Sequence, residues 1–167
     1  QPIAVQIAKL RFFISLVVDQ KMYDNQENRG ILPLPNLETK FVAADTLIGL
    51  DNPKQGLFKN PEIDQKEHEL KTLRHRYFGA KNRKEKLACQ KADKALRQQI
   101  AKLLVDDGWG AESAQQIVAF DPYDQNAYSR FFDPEWMFGL TGGFDVVLGN
   151  PPYVQIQSFS GKPEQQA

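Results

Sequence analysis

Residues Phe144-Asp145-Val146-Val147-Leu148-Gly149-Asn150-Pro151-Pro152-Tyr153 change character halfway. The first five, apolar except for Asp145 and carrying two β-branched valines, are the clearest strand signal in the chain. The last five stop it, because glycine ends the run and two successive prolines fix their φ angles and withdraw two backbone N–H donors. A buried strand running into a stiff loop suits a parallel sheet, and the upstream sequence agrees. Pro2 fits the first turn of a helix, where its missing N–H needs no partner. Ile3, Ile7, Leu10, Ile14 and Val17 then recur at helical spacing with few charges between them, so this helix is expected to be mostly buried against a sheet. Thr39-Lys40-Phe41-Val42-Ala43 is a second short strand, with Asp45 at its exit. Helix, strand, helical excursion and strand together predict an α/β fold.

The excursion begins at Asn60-Pro61-Glu62, an N-cap, a first-turn proline and an acid favoured by the helix dipole. Ile63, Leu70, Leu73 and Tyr77 give it an apolar side, and Phe78-Gly79-Ala80 breaks it. A second helix follows from Asn82 to Val105 and ends before Gly108, a residue suited to a left-handed cap. Unbroken, residues 61–105 would extend roughly 65 Å at ~1.5 Å per residue, so a bend at Gly79 and an antiparallel hairpin are expected. A shorter helix runs from Ala111 to Phe120. The chain thus divides into a partial core at residues 1–57, a hairpin-like helical insertion at 58–107, and the rest of the core with its loop at 108–167.

Across 167 residues, 21 basic and 21 acidic side chains cancel, so net charge names no partner. Residues 71–102, however, hold eleven Lys and Arg against two acids, Glu85 and Asp93. Arg83, Lys84 and Lys86 fall in this stretch, and such charge can contact nucleic-acid phosphates. The single cysteine, Cys89, excludes an internal disulfide framework and fits the reducing cytoplasm. The apolar run from Phe12 to Val18 is too short to span a bilayer, and no membrane partner is expected. The sequence opens at Gln1-Pro2 without a methionine and enters a helix at once, so it reads as a piece of a larger protein. An incomplete sheet would leave an open edge and an apolar face, and self-association is then expected.

In open α/β sheets ligands bind beyond the carboxyl ends of the strands, which is where Asp45 and Asn150 to Tyr153 fall. With two donors removed, the Asn150-Pro151-Pro152-Tyr153 loop presents carbonyl oxygens, and Asn150 adds a side-chain acceptor. Tyr153 supplies a face for stacking. Two acceptors beside a ring suit a planar group bearing an NH2, such as a nucleobase. No Cys or Ser stands in the loop to act as a nucleophile.

Asn150-Pro151-Pro152-Tyr153 resembles the catalytic motif of adenine-N6 methyltransferases. Residues 1–11, 37–47 and 132–139, with Asp45-Thr46-Leu47 and Phe132-Asp133-Pro134-Glu135-Trp136 among them, are similar to type IIG restriction–modification methylases, in which cleavage and methylation share one polypeptide. The resemblance implies a partial Rossmann-like, S-adenosylmethionine-dependent methyltransferase fold with a helical insertion. It implies that Asn150 and the Pro151 carbonyl hold the amino group of an adenine flipped out of double-stranded DNA, that Pro152 stiffens the loop and that Tyr153 stacks on the base. Asp45 would bind the adenine moiety of S-adenosylmethionine. The family's glycine-rich cofactor motif is not found in residues 1–167, so little cofactor binding and no turnover are expected of this piece alone.

Other readings remain open at this level. The same acceptor loop can hold an RNA base or a glutamine amide, and the helical pair can act as a non-catalytic DNA- or protein-binding module. His68 and His75 lie seven apart on one helix without the company a metal site needs, so no metal is expected. Phe131, Phe132, Trp136, Met137 and Phe138 read as a core-filling segment.

Overall fold

The computed structural model describes residues 1–50 and 60–149. Five α-helices lie among them: α1 (Pro2–Val18), α2 (Pro61–Phe78), α3 (Arg83–Asp106), α4 (Ala111–Ala119) and α5 (Pro134–Phe138). Two short 3-10 turns, Glu27–Gly30 and Glu38–Lys40, punctuate the long connection after α1.

Local chemistry sets the helix ends. At α2, the Asn60 side chain accepts from the Glu62 N–H at 3.0 Å, and Glu62 and Asp64 stand in the first turn. At α3, the Asn82 side chain accepts from the Glu85 N–H at 2.9 Å, and the Glu85 carboxylate accepts from the Lys81 N–H at 3.1 Å. After α3, Gly108 takes the positive φ of 91° that a side chain resists. The carbonyls closing α2 find a distant partner: Asn36 is buried, and its Nδ2 donates to Tyr77 O at 2.8 Å and to Ala80 O at 2.7 Å.

α2 and α3 pack antiparallel, as the pairing order requires. Ile63 and Leu70 early in α2 share a cluster with Ile100 and Leu104 late in α3, while Tyr77 at the end of α2 meets Cys89 near the start of α3. α4 closes the first cluster with Ile117, and Trp109 and Trp136 pack on its edge. Each such aliphatic side chain contributes about 1.5–3 kcal/mol by leaving water.

A charged group lies inside this pair. Asp93 is fully buried and accepts from Arg74 Nε at 2.8 Å, from Arg97 Nε at 2.7 Å and from the Tyr123 hydroxyl at 3.1 Å. The two guanidinium groups then reach backbone. Arg74 Nη1 donates to Trp136 O at 2.7 Å, and Arg97 Nη1 donates to Val118 O at 2.6 Å and also to Phe120 O. One carboxylate thus joins α2 and α3 to the end of α4, to α5 and to the Tyr123 loop. Tyr123 also meets the Tyr77 ring edge-on at 4.7 Å.

Burial, and then the Asp93 charge, push the Tyr123 hydroxyl well above the ordinary phenol range. The folded state therefore keeps its proton at a pH where the unfolded chain, with an ordinary phenol, releases it. This contribution is complete below about pH 10 and is lost as pH rises from there toward the folded-state value. Tyr123→Phe is expected to cost about 1.5–3 kcal/mol at neutral pH, the range for a hydrogen bond to a charged group, and to flatten the alkaline decline. Urea melts of both proteins between pH 8 and 11 check it; parallel declines would reject it.

Two expectations from the sequence are corrected. Part of the first expected strand, Thr39-Lys40, lies in a 3-10 turn, and Phe144 to Leu148 have no regular structure. Among the described residues the sheet is reduced to one parallel bridge, Ala44 with Ser129. Helices satisfy their hydrogen bonds internally, but a strand needs a neighbour along its length. Val146, Val147 and Leu148 are 73%, 81% and 92% exposed. The second correction concerns α1, none of whose residues is buried. Its expected support was a sheet, and no described residues supply one. α1 meets the remainder through Phe12, edge-on to Phe41 at 5.9 Å, and through Gln6 Nε2, which donates to Gln125 O at 3.0 Å.

Candidate functional site

The Ala44–Ser129 bridge positions the first site residue. Ser129 N donates to Ala43 O at 2.8 Å, and Asp45 N donates to Ser129 O at 3.0 Å, so Asp45 leaves the bridge with its backbone held. Its side chain is half-buried, and its Oδ1 accepts from the Leu47 N–H at 3.1 Å in a local turn. A carboxylate has acceptor capacity beyond one such bond.

From this turn a path runs to the segment that enters the proline loop. Phe132 N donates to Ile48 O at 2.7 Å. The Phe132 ring stacks on Phe144 at 6.2 Å, and Phe138 meets Phe144 edge-on at 5.9 Å. Phe144 is thus held by two rings, six residues before Asn150. Phe131 and Met137 are buried, while Phe132 and Phe138 form this half-buried aromatic support. α5 holds the support in place: Asp133 caps it through the Trp136 N–H at 2.7 Å, and Gly139 ends it at a φ of 71°. Asn150, Pro151, Pro152 and Tyr153 lie outside the described residues. Their placement at one rim with Asp45 remains a reading of the sequence.

The basic stretch separates into three groups. Arg74 and Arg97 belong to the buried Asp93 network. Arg83 and Lys84 are exposed in the first turn of α3, whereas Lys86 is half-buried. At about 100° per residue, Lys86 lies on the side of α3 that carries Cys89, Asp93 and Leu104, nearly opposite Lys84. The outward face instead aligns Lys84 with Lys91 and Lys102, all exposed, over roughly 27 Å of helix. Grouping Arg83, Lys84 and Lys86 by sequence missed this stripe, although its helical spacing was legible.

Cys89 is a buried packing residue. His68 and His75 are exposed on α2 and both line a groove between α2 and α5. Among the described residues no group of His, Cys, Asp or Glu gathers to hold a metal. No described helix is long and apolar enough to cross a membrane.

Compared with known protein families, residues 1–167 match the Eco57I restriction-modification methylase family along their full extent. No curated protein matches, and no solved structure does.

Proposed function

The chain belongs to the Eco57I restriction-modification methylase family, and from that membership we propose that it serves methylation of the adenine N6 amino group in double-stranded DNA in the cytoplasm, on a Rossmann-like α/β methyltransferase fold. The observation carrying this reading is Asn150-Pro151-Pro152-Tyr153, set directly after an apolar run in a chain of this family. An exocyclic amine is a poor nucleophile because its lone pair is delocalised into the ring. Asn150 Oδ1 and the Pro151 carbonyl accept its two hydrogens, favour a pyramidal nitrogen and stabilise the positive charge that grows as nitrogen gains carbon. Pro152 keeps the loop stiff, and Tyr153 stacks on the base once it has left the duplex.

The methyl donor proposed is S-adenosylmethionine, which when bound would supply an electrophilic methyl group, its sulfonium S–C bond breaking to a neutral thioether as the N–C bond forms; the methylated nitrogen would then lose one proton to solvent. Asp45 fits its adenine moiety: it is a half-buried carboxylate at the exit of the bridge, held by backbone bonds, with acceptor capacity for an exocyclic NH2. On the DNA side, the exposure of Arg83, Lys84, Lys91 and Lys102 supports assigning them phosphate contacts, which would position a duplex without reading its sequence. Lys86 is left out by its side of the helix. Replacing the three stripe lysines with glutamine is expected to lower the slope of log K against log salt by roughly 3, at ~0.9 per phosphate contact. Fluorescence anisotropy with duplex DNA at several salt concentrations measures this, and an unchanged slope would dismiss the stripe.

The exposed apolar residues of α1 and of Val146 to Leu148 also support self-association of the isolated chain. The function itself is tested by nucleoside mass spectrometry of DNA treated with the protein expressed from its complete natural reading frame. N6-methyladenine is expected. Unmodified DNA with methylated RNA or glutamine, or DNA that is bound and never modified, overturns the reading in favour of the two alternatives.

A further inference from the structure

Between α2, the Glu38–Lys40 turn and α5 lies a groove of about 510 Å³, within the size range of small-molecule sites. Two residues in its wall carry buried polar atoms without a partner, Arg74 Nη2 and Thr39 Oγ1. Both residues are more than nine-tenths buried. An orphaned buried donor costs about 1–3 kcal/mol, so two at one wall are a reason to look for a missing acceptor. The charge around Arg74 points the same way. Two guanidinium groups share the single Asp93 carboxylate, so this network keeps a surplus positive charge beside the groove.

The rim continues the pattern. Lys71 extends from α2 to donate to Gly139 O at 2.8 Å, and Lys40 lies over the Phe78 ring at 5.9 Å, each cation meeting a neutral group there. Acids also line the groove: Asp64, Glu67 and Glu135, each already engaged with a partner. Among the α2 residues lining the groove, Asp64 and Glu67 precede His68, Lys71, Arg74 and His75, so the bases gather toward the C-terminal half of the helix. The opposite wall, from Trp136 to Phe138, is apolar and aromatic.

We propose that this groove binds a nucleotide unit, its phosphate at Arg74, Lys71 and Lys40 and its base along the aromatic wall. A phosphate oxygen accepts several hydrogen bonds at once, which suits a surplus guanidinium beside two ammonium groups. The groove's lining includes none of the proline-loop residues, and the proposal does not rest on the methyl-transfer reading.

Calorimetry with the full 167-residue chain tests it, using adenosine monophosphate, adenosine and inorganic phosphate as probes, with a short oligonucleotide as a fourth. The monophosphate is expected to bind at least tenfold tighter than adenosine. Lys40→Gln/Lys71→Gln is expected to weaken it about tenfold or more, with unchanged helical circular dichroism. Lys40→Gln alone, which severs no backbone hydrogen bond, should weaken it severalfold and keeps the test valid if the double variant misfolds. A tighter complex with the oligonucleotide than with the monophosphate assigns the phosphate to a strand; equal or weaker binding assigns it to a free nucleotide. Equal affinity for adenosine and its monophosphate overturns the proposal, as does binding indifferent to both lysine variants or no binding at millimolar concentration.

Discussion

Asp93→Ala is expected to destabilise the chain by about 3–5 kcal/mol, a large part of the 5–15 kcal/mol typical of a domain. The substitution removes more than two ion pairs. It leaves Arg74 and Arg97 buried with no countercharge, and it takes the acceptor from the Tyr123 hydroxyl. Breaking one member of a buried charge network costs more than the network itself contributes, because the survivors keep their desolvation penalty. Replacing all three with apolar residues, as in Arg74→Met/Asp93→Leu/Arg97→Met, is therefore expected to be milder than the single change. It still loses the guanidinium bonds to Val118 O and Trp136 O, so full recovery is not expected. Urea unfolding followed by circular dichroism orders the three proteins. A single variant within about 1 kcal/mol of the parent would show that water or rearrangement already relieves the arginines.

How much was legible in the sequence follows the range of the interactions. Asn60-Pro61-Glu62 marks the start of α2 because cap, proline and acid act within one turn. The bend at Gly79 and the positive φ of Gly108 are likewise local. The buried network was half-visible. Asp93 and Arg97 stand four apart on one helix, but Arg74 is nineteen residues from Asp93, and inside a basic stretch all three look like surface charge. Asn36 was illegible, because it caps α2 from 41 residues away and nothing near it in sequence needs an amide. Strands are the extreme case. Phe144 to Leu148 has a strand's composition, yet a parallel strand forms only against a partner, and no neighbour along the chain can provide one. The aromatic segment from Phe131 to Phe138 was readable as packing, but its role in holding Phe144 depends on a geometry that spacing does not reveal. For the site the division is similar: Asp45 reads as the exit of a strand in the sequence, whereas it follows a single bridge of Ala44 with Ser129, a partner 85 residues away in the chain.

Asn150→Ala is expected to lower kcat for DNA methylation about 10²- to 10³-fold in the protein expressed from its complete reading frame, the range found when one preorganised hydrogen-bonding group is lost at a centre of developing charge. In the proposed reaction Asn150 Oδ1 would accept a weakly acidic N–H in the ground state and a much more acidic one as the nitrogen becomes cationic, so its bond would strengthen along the reaction and its loss would fall on kcat. Tyr153→Ala should behave differently. In the proposed reaction stacking would hold the flipped base before and during methyl transfer, so its loss of about 1–3 kcal/mol should appear mainly as weaker binding of DNA carrying an unpaired target. Aspartate at position 150 separates acceptance from shape: it retains two acceptor oxygens and adds a negative charge, so it should recover more activity than alanine if hydrogen-bond acceptance is the function. Radiolabelled methyl transfer and DNA anisotropy on the same preparations read both quantities. A kcat unchanged by Asn150→Ala would mean that the amine is held by other groups. The acceptor loop would then lose its place in the proposed reaction, while the proposed phosphate contacts of Lys84, Lys91 and Lys102 would stand or fall on the salt titration alone.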